Sequence, residues 1–434
     1  MRRRTIAFAG LAVAIAATVA FVASTATATP TRVAARSSAG SASTGTTAAL
    51  CKKAGLGFAG PLTGGAAFLG TDQSNWEKLF ITNWNAGKAI PGVPRSLHRV
   101  KLNLALLGDS QLNPQVAATV ARQMVANKTI LGMVGFAGSN ENLGGGPVLD
   151  AANLAYVSGS ATKDSLATGA PGQKALKDFF RVVPINSQQA NAGVHYIVPK
   201  LKLKGSKIMI VDDGEAYGID IANAATKAFK AAGVTNIDRE SVKETDVNPG
   251  GAAGFAADIQ PVALKAVSSG VKLVYAPSQD APDSQTFVEL LKTDGYKGGF
   301  MATDGSVSPT QYKFPGAYVS FFGPGINKIN KTYRTRYLHT YGATSASDPF
   351  GAPSFVATEM LAVAISQQCS ATHGKTISRA LVVKKLKKVK LVTTILGYSM
   401  AFNNPVDAYH GPKSGVTVFQ IQANGSYKEV YAAG

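Results

Sequence analysis

The sequence lacks the residue groups on which most enzymes depend. Its five histidines are scattered, and none has a second ligand at the spacing of a metal site. No Gly-x-Ser-x-Gly turn, no His-Glu-x-x-His helix and no phosphate loop ending in Gly-Lys-Ser/Thr is present. Carboxylate pairs such as Asp212-Asp213 fall in predicted loops, where a solvated surface is the simpler interpretation. These absences argue against an enzyme and predict that no cofactor or metal is needed.

Acidic residues are also scarce. There are 25 aspartates and glutamates against 44 lysines and arginines, which gives a formal charge of +19. A nucleic-acid-binding protein would concentrate this charge in one patch interleaved with aromatic residues. Here the basic residues are dispersed, apart from the five lysines between Lys384 and Lys390. A solvated helix end is the simpler interpretation of that run, and attraction to an acidic envelope polymer or membrane is the alternative. We therefore predict no nucleic-acid partner.

The first 28 residues predict export. Arg2 to Arg4 form a basic region, an apolar stretch runs from Ile6 to Val22, and Ala26-Thr27-Ala28 is a small-residue cleavage site before Thr29. The apolar stretch approaches the length of a membrane anchor, but the cleavage site directly after it favours removal. No cysteine stands at that site, so the usual lipoprotein signal is missing. We expect an extracytoplasmic protein that is not a lipoprotein.

Cysteine is limited to Cys51 and Cys369. In an exported chain, two cysteines permit one disulfide. Such a bridge would join the entry to the first strand to the end of a long helix. Two free thiols are the alternative.

From Cys51 onward, strand and helix patterns alternate, whereas residues 29–50 lack apolar periodicity and predict a flexible linker. The predicted strands are 100–107, 130–134, 154–157, 207–211, 272–275, 299–302, 416–421 and 427–430. The predicted helices are 72–85, 114–127, 217–232, 284–293, 328–341 and 353–369. Regular β-α-β alternation with buried strands predicts doubly wound parallel sheets, and its recurrence after residue 200 predicts two of them.

Short glycine- and serine-rich turns recur at the strand ends. They include Gly60-Pro-Leu-Thr-Gly64, Val134-Gly-Phe-Ala-Gly-Ser139, Ser158-Gly-Ser-Ala-Thr162 and Tyr217-Gly218. In order and spacing these turns resemble those of the Leu/Ile/Val-type substrate-binding proteins of ABC importers, a type I periplasmic-binding-protein family. The resemblance extends over nearly all of the chain from Cys51. It implies two α/β lobes that close on a ligand and are joined by a hinge of three crossings.

The resemblance also implies where the lobes are divided. The three crossings are predicted near residues 183–186, 319–322 and 396–398. The N-terminal lobe would then contain residues 51–183 and 322–395, and the C-terminal lobe residues 184–321 and 396–434.

In the family, hydroxyl and backbone N–H groups of the first lobe hold the ligand's carboxylate, and a tyrosine and an acidic residue of the second lobe hold its ammonium. The matching positions are Ser139, Ser160, Ala161 and Thr162 in the first lobe, Tyr217 and Asp304 in the second, and Leu69 or Phe68 as an apolar wall. Gln279 and Asp280 stand in a segment that replaces the family's own, and they are further candidate contacts. Each has a simpler alternative, since Ser139 and Thr162 would also serve as helix caps. Asp304, likewise, stands before a glycine, where aspartate is common in turns.

The resemblance implies capture of a small amino-acid-like ligand and its delivery to an ABC permease in the membrane. A ligand sensor of the same fold that feeds a signalling partner is the alternative. Two segments depart from the family pattern, Asn75-Trp-Glu-Lys-Leu79 and Gly108-Asp-Ser-Gln-Leu-Asn-Pro114. Because these altered segments change the cleft wall, an amide, a urea-like compound or an aromatic acid is an alternative ligand.

Overall fold

A computed structural model describes residues 44–245, 247–342, 350–402 and 415–433. The predicted signal peptide and its cleavage site lie outside the described residues. Within those four ranges, no helix is both long enough and apolar enough to cross a membrane.

The first described element is a helix where the sequence predicted a flexible linker. Helix α1 (Thr44–Lys52) includes the last seven residues of that segment. Its Leu50 packs against the core of the following lobe, and Thr47 Oγ1 donates a hydrogen bond to the carbonyl of Lys375 at 3.1 Å. Cys51 is bonded to Cys369, 318 residues further along the chain. These tertiary contacts order residues whose local pattern gives no helical signal.

The first lobe is built on a parallel sheet of five strands in the order β2-β1-β3-β4-β5. The strands are β1 (Lys53–Gly60), β2 (Lys101–Asp109), β3 (Ile130–Gly135), β4 (Tyr156–Ser158) and β5 (Phe179–Arg181). The helices between them are α2 (Ala67–Asn85), α3 (Pro114–Ala126), α4 (Ser139–Ala151) and the single turn α5 (Ser165–Thr168). Strand β3 is buried along its whole length, as expected for a parallel strand covered on both faces.

The second lobe contains a sheet of seven strands in the order β14-β13-β10-β9-β8-β6-β7. Its first part comprises α6 (Asn186–Lys200), β6 (Ile208–Asp212), α7 (Ala216–Ala231), β7 (Ile237–Ser241), α8 (Gly251–Ser268), β8 (Leu273–Ala276), α9 (Ala281–Thr293), β9 (Gly299–Ala302) and β10 (Tyr318–Phe322). Strands β6 to β10 pair in parallel. Asp280 caps α9 by accepting the backbone N–H of Asp283 at 3.2 Å.

The chain then returns to the first lobe and finally re-enters the second. Helices α10 (Lys331–Tyr341), α11 (Gly351–Ala371) and α12 (Arg379–Leu386) belong to the first lobe, followed by the short hairpin β11 (Lys390–Leu391) and β12 (Met400–Ala401). Strands β13 (Val416–Ile421) and β14 (Tyr427–Ala432) form an antiparallel hairpin on the second sheet, where β13 pairs with β10. Two doubly wound lobes confirm the predicted fold class.

Two of the predicted crossings are displaced. Residues 318–322 form β10 inside the second sheet, so the second crossing comes later, before Ile329 reaches the first-lobe core. The third crossing was predicted near residues 396–398. However, Leu396, Met400 and Phe402 are buried in the first-lobe core, and the chain changes lobe between Phe402 and Val416. The Leu396-Gly turn belongs to the β11–β12 hairpin, which explains why its turn signal did not mark a hinge.

Candidate ligand-binding cleft

The predicted site residues follow the carboxyl ends of parallel strands in both lobes, which is where ligands bind in doubly wound sheets. Contacts between the lobes show that these two edges face each other. Asn140 Nδ2 of the first lobe lies 3.4 Å from Glu215 Oε2 of the second. A Cβ atom added to Gly65 would lie 2.0 Å from Asp280 Oδ2. The site therefore lies between two lobes that are in contact.

The start of α4 forms one side of the first-lobe half. Glu141 accepts a hydrogen bond from the backbone N–H of Gly138, as in a capping box, and this fixes the first turn of the helix. Ser139 is the first helical residue, and its Oγ accepts the backbone N–H of Lys163 at 3.2 Å. The hydroxyl thus joins α4 to the turn that follows β4. Its own proton remains available to a ligand.

The turn after β4 forms the other side, and it uses two of the predicted ligand groups internally. Ser160 Oγ donates to the carbonyl of Ala137 at 2.8 Å and accepts from Gln73 Nε2 at 2.9 Å. The N–H of Ala161 donates to Ser158 Oγ at 2.9 Å. Thr162 is fully buried, and its Oγ1 has no hydrogen-bond partner among the described residues. Thr162 is therefore the hydroxyl that this turn leaves for a ligand.

A buried arginine holds this turn from below. Arg181, at the end of β5, donates from Nη1 to the carbonyls of Ala161 and Lys163 at 3.2 and 2.9 Å. Its guanidinium lies 5.3 Å from the centre of the Phe179 ring. Sequence reasoning missed Arg181, although a charged residue at the end of the apolar run Phe179-Phe180 was a usable signal. The guanidinium fixes the turn geometry and places positive charge behind Thr162.

The second-lobe half is centred on Tyr217 and Asp304. Tyr217 is the second residue of α7, and its hydroxyl donates to Asp304 Oδ1 at 2.5 Å and lies 2.6 Å from Thr303 Oγ1. Asp304 follows β9, and both side chains are buried. Burial raises the pKa of Asp304 to about 7, although hydrogen bonds from Tyr217 and Gln189 act in the opposite direction. Burial and the neighbouring carboxylate also raise the pKa of Tyr217 well above its usual value.

Gln279 lies beside this pair at the end of β8. Its backbone N–H and that of Asp280 both donate to Glu244 Oε1, at 2.5 and 3.0 Å. Gln279 Nε2 is buried and has no partner among the described residues. Sequence reasoning also missed Glu244, because it follows the half-exposed strand β7 rather than a recognisable turn.

The predicted wall residues lie where the two lobes meet. Leu69 is buried in the same apolar cluster as Val319 and Phe322 of the second lobe. The Phe68 ring lies 6.1 Å from that of Phe350, edge to face. Phe350 in turn lies 5.6 Å from the Phe322 ring. The structure thus brings both candidates to the apolar wall and adds Phe350, which the sequence did not single out.

The two halves present different polar groups to the cleft. The first lobe presents the N-terminus of α4 and the guanidinium of Arg181 behind Thr162, and both favour an anion. The second lobe presents Asp304, with Glu244 behind Gln279. No group of three or more histidine, cysteine or acidic side chains able to hold a metal ion occurs within the described part of the chain. The arrangement suits a small ligand whose two ends differ in charge.

Comparisons with known proteins agree with this architecture. Residues 53–426 match the sequence model of the periplasmic binding protein family. An amino acid binding protein of Pseudomonas aeruginosa is 24% identical over 253 residues, which is 58% of this chain and 61% of that protein, so the match spans less than two thirds of the relative.

Solved structures resemble this chain over more of its length. The leucine binding protein LivK of Thermotoga maritima superimposes with a TM-score of 0.70 and 18% identity, covering 87% of this chain and 98% of that protein. A fatty acid ABC transporter substrate-binding protein of Thermomonospora curvata also gives a TM-score of 0.70, at 16% identity, covering 88% and 92%. Since the family model matches most of its length, the chain belongs to the periplasmic binding protein family, as its turns predicted.

Proposed function

We propose that the chain is an extracytoplasmic solute-binding protein, not an enzyme, which captures a small amino-acid-like ligand between its lobes and delivers it to an ABC permease. One observation carries this proposal. The Tyr217–Asp304 pair of the second lobe and two hydroxyls of the first lobe, Ser139 and Thr162, all lie at facing strand ends.

The geometry supports one orientation of the ligand. Its carboxylate would accept hydrogen bonds from Ser139 and Thr162, at the positive end of α4 and above Arg181. Its ammonium would donate to Asp304, which Tyr217 holds in place. Because these partners belong to different lobes, a bound ligand bridges them and favours the closed arrangement. Ser160 and Ala161, whose groups are used internally, would shape the turn rather than bind.

The names of the relatives support this class of protein without fixing the ligand. They include an amino acid binding protein and a leucine binding protein, but also a fatty acid substrate-binding protein of the same fold. The polar groups on both sides of this cleft favour the amino-acid class. An ABC permease as partner and an extracytoplasmic location follow from the family in the same way.

The test is a thermal-shift screen of the mature protein, unfolded and refolded to remove any co-purified ligand. The panel contains amino acids, amides, ureas and small aromatic acids. A ligand at one hundred times its dissociation constant adds about 2.7 kcal/mol to stability, enough to move the midpoint clearly.

Two isosteric variants connect the response to the cleft. Thr162→Val and Asp304→Asn should weaken binding of the responding ligand, whereas Asp258→Asn, on the exposed face of α8, is the matched control. A flat response to the entire panel would refute capture of this class of ligand. Full affinity in both cleft variants would refute the assigned orientation.

A further inference from the structure

The acidic side chains at the cleft extend well beyond the proposed ammonium site. The order β9-β8-β6-β7 in the second sheet places four acidic residues along one edge. Asp304 follows β9, Asp280 follows β8, Asp213 follows β6 and Glu244 follows β7. Neighbouring strands are about 4.8 Å apart, so Asp213 lies about 10 Å along the edge from Asp304. A ligand held at Asp304 would need a chain of several atoms to reach it.

Asp213 and Glu244 are buried carboxyl groups without a cationic partner. They are 2% and 4% exposed, and neither takes part in an ion pair within the described ranges of the chain. The nearest basic residues interact with other acidic residues. Arg239 forms an ion pair with Asp212 at 2.6 Å, and the charge of Lys243 acts to lower the pKa of Glu215. Burial raises the pKa of both Asp213 and Glu244 well above the usual range, and neighbouring acids add to this: Glu215 and Asp212 at Asp213, and Asp213 and Asp280 at Glu244.

One oxygen of Asp213 has no hydrogen-bond partner among the residues that the structure describes. Its Oδ1 accepts the backbone N–H of Glu215 at 2.8 Å, which turns the carboxyl group toward the start of α7. Its Oδ2 is buried, and none of the described residues donates to it. A buried acceptor without a hydrogen-bond donor costs free energy. The Oδ2 atom therefore points to a donor that comes from outside the described chain.

A cavity of ≈ 20 Å³ lies beside this carboxyl group, and its polar part is lined by Asp212, Asp213, Glu244, Ser278, Asp283 and Ser284. This volume holds one group of the size of water, such as a primary ammonium. The remaining wall is apolar and includes Phe255 and Phe287. A methylene chain that ends in an ammonium matches such a lining.

The first lobe covers this part of the edge. Asp280 lies against Gly65, and Glu215 Oε2 is 3.4 Å from Asn140 Nδ2. Asp280 and Glu215, which are neighbours of Asp213 on this edge, are therefore covered by the first lobe. A cation bound there would be removed from bulk water, where charge-assisted hydrogen bonds are strong.

We infer that Asp213 and Glu244 form a second subsite for a terminal ammonium, and that the ligand is an amino acid with a basic side chain of the lysine or ornithine type. The α-ammonium would bind at Asp304 and the terminal ammonium at Asp213. This inference rests on the proposed function, because it places the α-amino and α-carboxyl groups as described above.

The test is isothermal titration calorimetry on the refolded mature protein with L-lysine, L-ornithine and L-norleucine. Norleucine has the apolar chain of lysine without the terminal ammonium. We expect lysine or ornithine to bind at least about ten-fold more tightly than norleucine, as for a hydrogen bond to a charged group. Asp213→Asn should reduce this ratio about ten-fold, whereas the control Asp258→Asn should preserve it.

The possible results separate the two proposals. Tighter binding of norleucine or leucine than of lysine and ornithine would overturn the second subsite and leave amino-acid capture standing. An equal loss of lysine and norleucine binding in Asp213→Asn would also overturn it, since Asp213 would then be merely structural. Binding of no α-amino acid at all would refute the proposed function itself.

Discussion

Replacing Asp304 by asparagine should have opposite effects on ligand binding and on the stability of the ligand-free protein. The substitution preserves size and an oxygen that can accept from the Tyr217 hydroxyl, now 2.5 Å from Oδ1. It removes the negative charge of Asp304, which in our proposal binds the ligand's ammonium. Affinity should therefore fall by about ten-fold or more, as when one partner of a charge-assisted hydrogen bond is lost.

The effect on stability follows from the raised pKa. Asp304 titrates near pH 7 in the folded chain and near its ordinary value of 3.8 when unfolded. Between these values the folded state holds the proton more tightly, so the ligand-free protein loses stability as the pH rises. From pH 5 to pH 8 this loss is about 3 kcal/mol for a fully buried group. Asparagine does not ionise, so the variant should not show it.

The assay is urea unfolding of the ligand-free wild type and variant at pH 5 and pH 8. Other buried carboxyl groups, including Asp213 and Glu244, contribute the same pH dependence to both proteins. The difference between the two proteins therefore isolates Asp304. A difference that is the same at both pH values would refute the buried, ionisable state of Asp304. Unchanged affinity would refute its assignment to the ammonium.

Three further predictions concern closure and the covalent link. Gly65→Ala would place a Cβ atom 2.0 Å from Asp280 Oδ2, so it should hinder lobe closure. Calorimetry should therefore show weaker ligand binding. Equal affinity would show that closure tolerates the methyl group. Asp220→Asn removes the partly buried ion pair that joins the two lobes between Asp220 and Lys163, 3.1 Å apart. This change should destabilise the closed form by about 1 kcal/mol, and ligand release should become several-fold faster. The double variant Cys51→Ser/Cys369→Ser should lower the free energy of unfolding by about 2 to 5 kcal/mol, and a reducing agent should do the same to wild type but not to the variant.

Local patterns in the sequence were sufficient for the fold class and for its most regular elements, but helices α4, α6 and α8 and strands β5, β7 and β10 were not predicted individually. The apolar run Ile130–Val134 and the helical spacing after Asn113 predicted β3 and α3 within one residue, because parallel strands buried on both faces and capped helices have strong local signals. The lobe crossings were less predictable. Whether Leu396 lies in a hinge or a core depends on partners hundreds of residues away, and a turn signal does not contain that information.

The same distinction applies to the candidate site. Ser139, Thr162, Tyr217 and Asp304 were predicted because their turns resemble those of the family, and the structure brings them to facing strand ends. Ser160 was predicted as a ligand group, yet Gln73 and the carbonyl of Ala137 occupy its hydroxyl. Such internal use is set by tertiary packing, so a motif alone cannot reveal it.

Three of the residues that sequence reasoning missed are ionisable side chains buried where the local pattern predicts solvent or an apolar core. Arg181 ends an apolar strand, and Glu244 and Asp213 stand in loops that read as solvated surface. Burying a charge costs free energy, which is recovered only if hydrogen bonds or an opposite charge are supplied. Backbone carbonyls supply this for Arg181, whereas Asp213 keeps an oxygen for which the described chain offers no donor. On this reasoning the acidic edge contributes to ligand selection more than to the stability of the fold, and the comparison of lysine with norleucine tests that distinction directly.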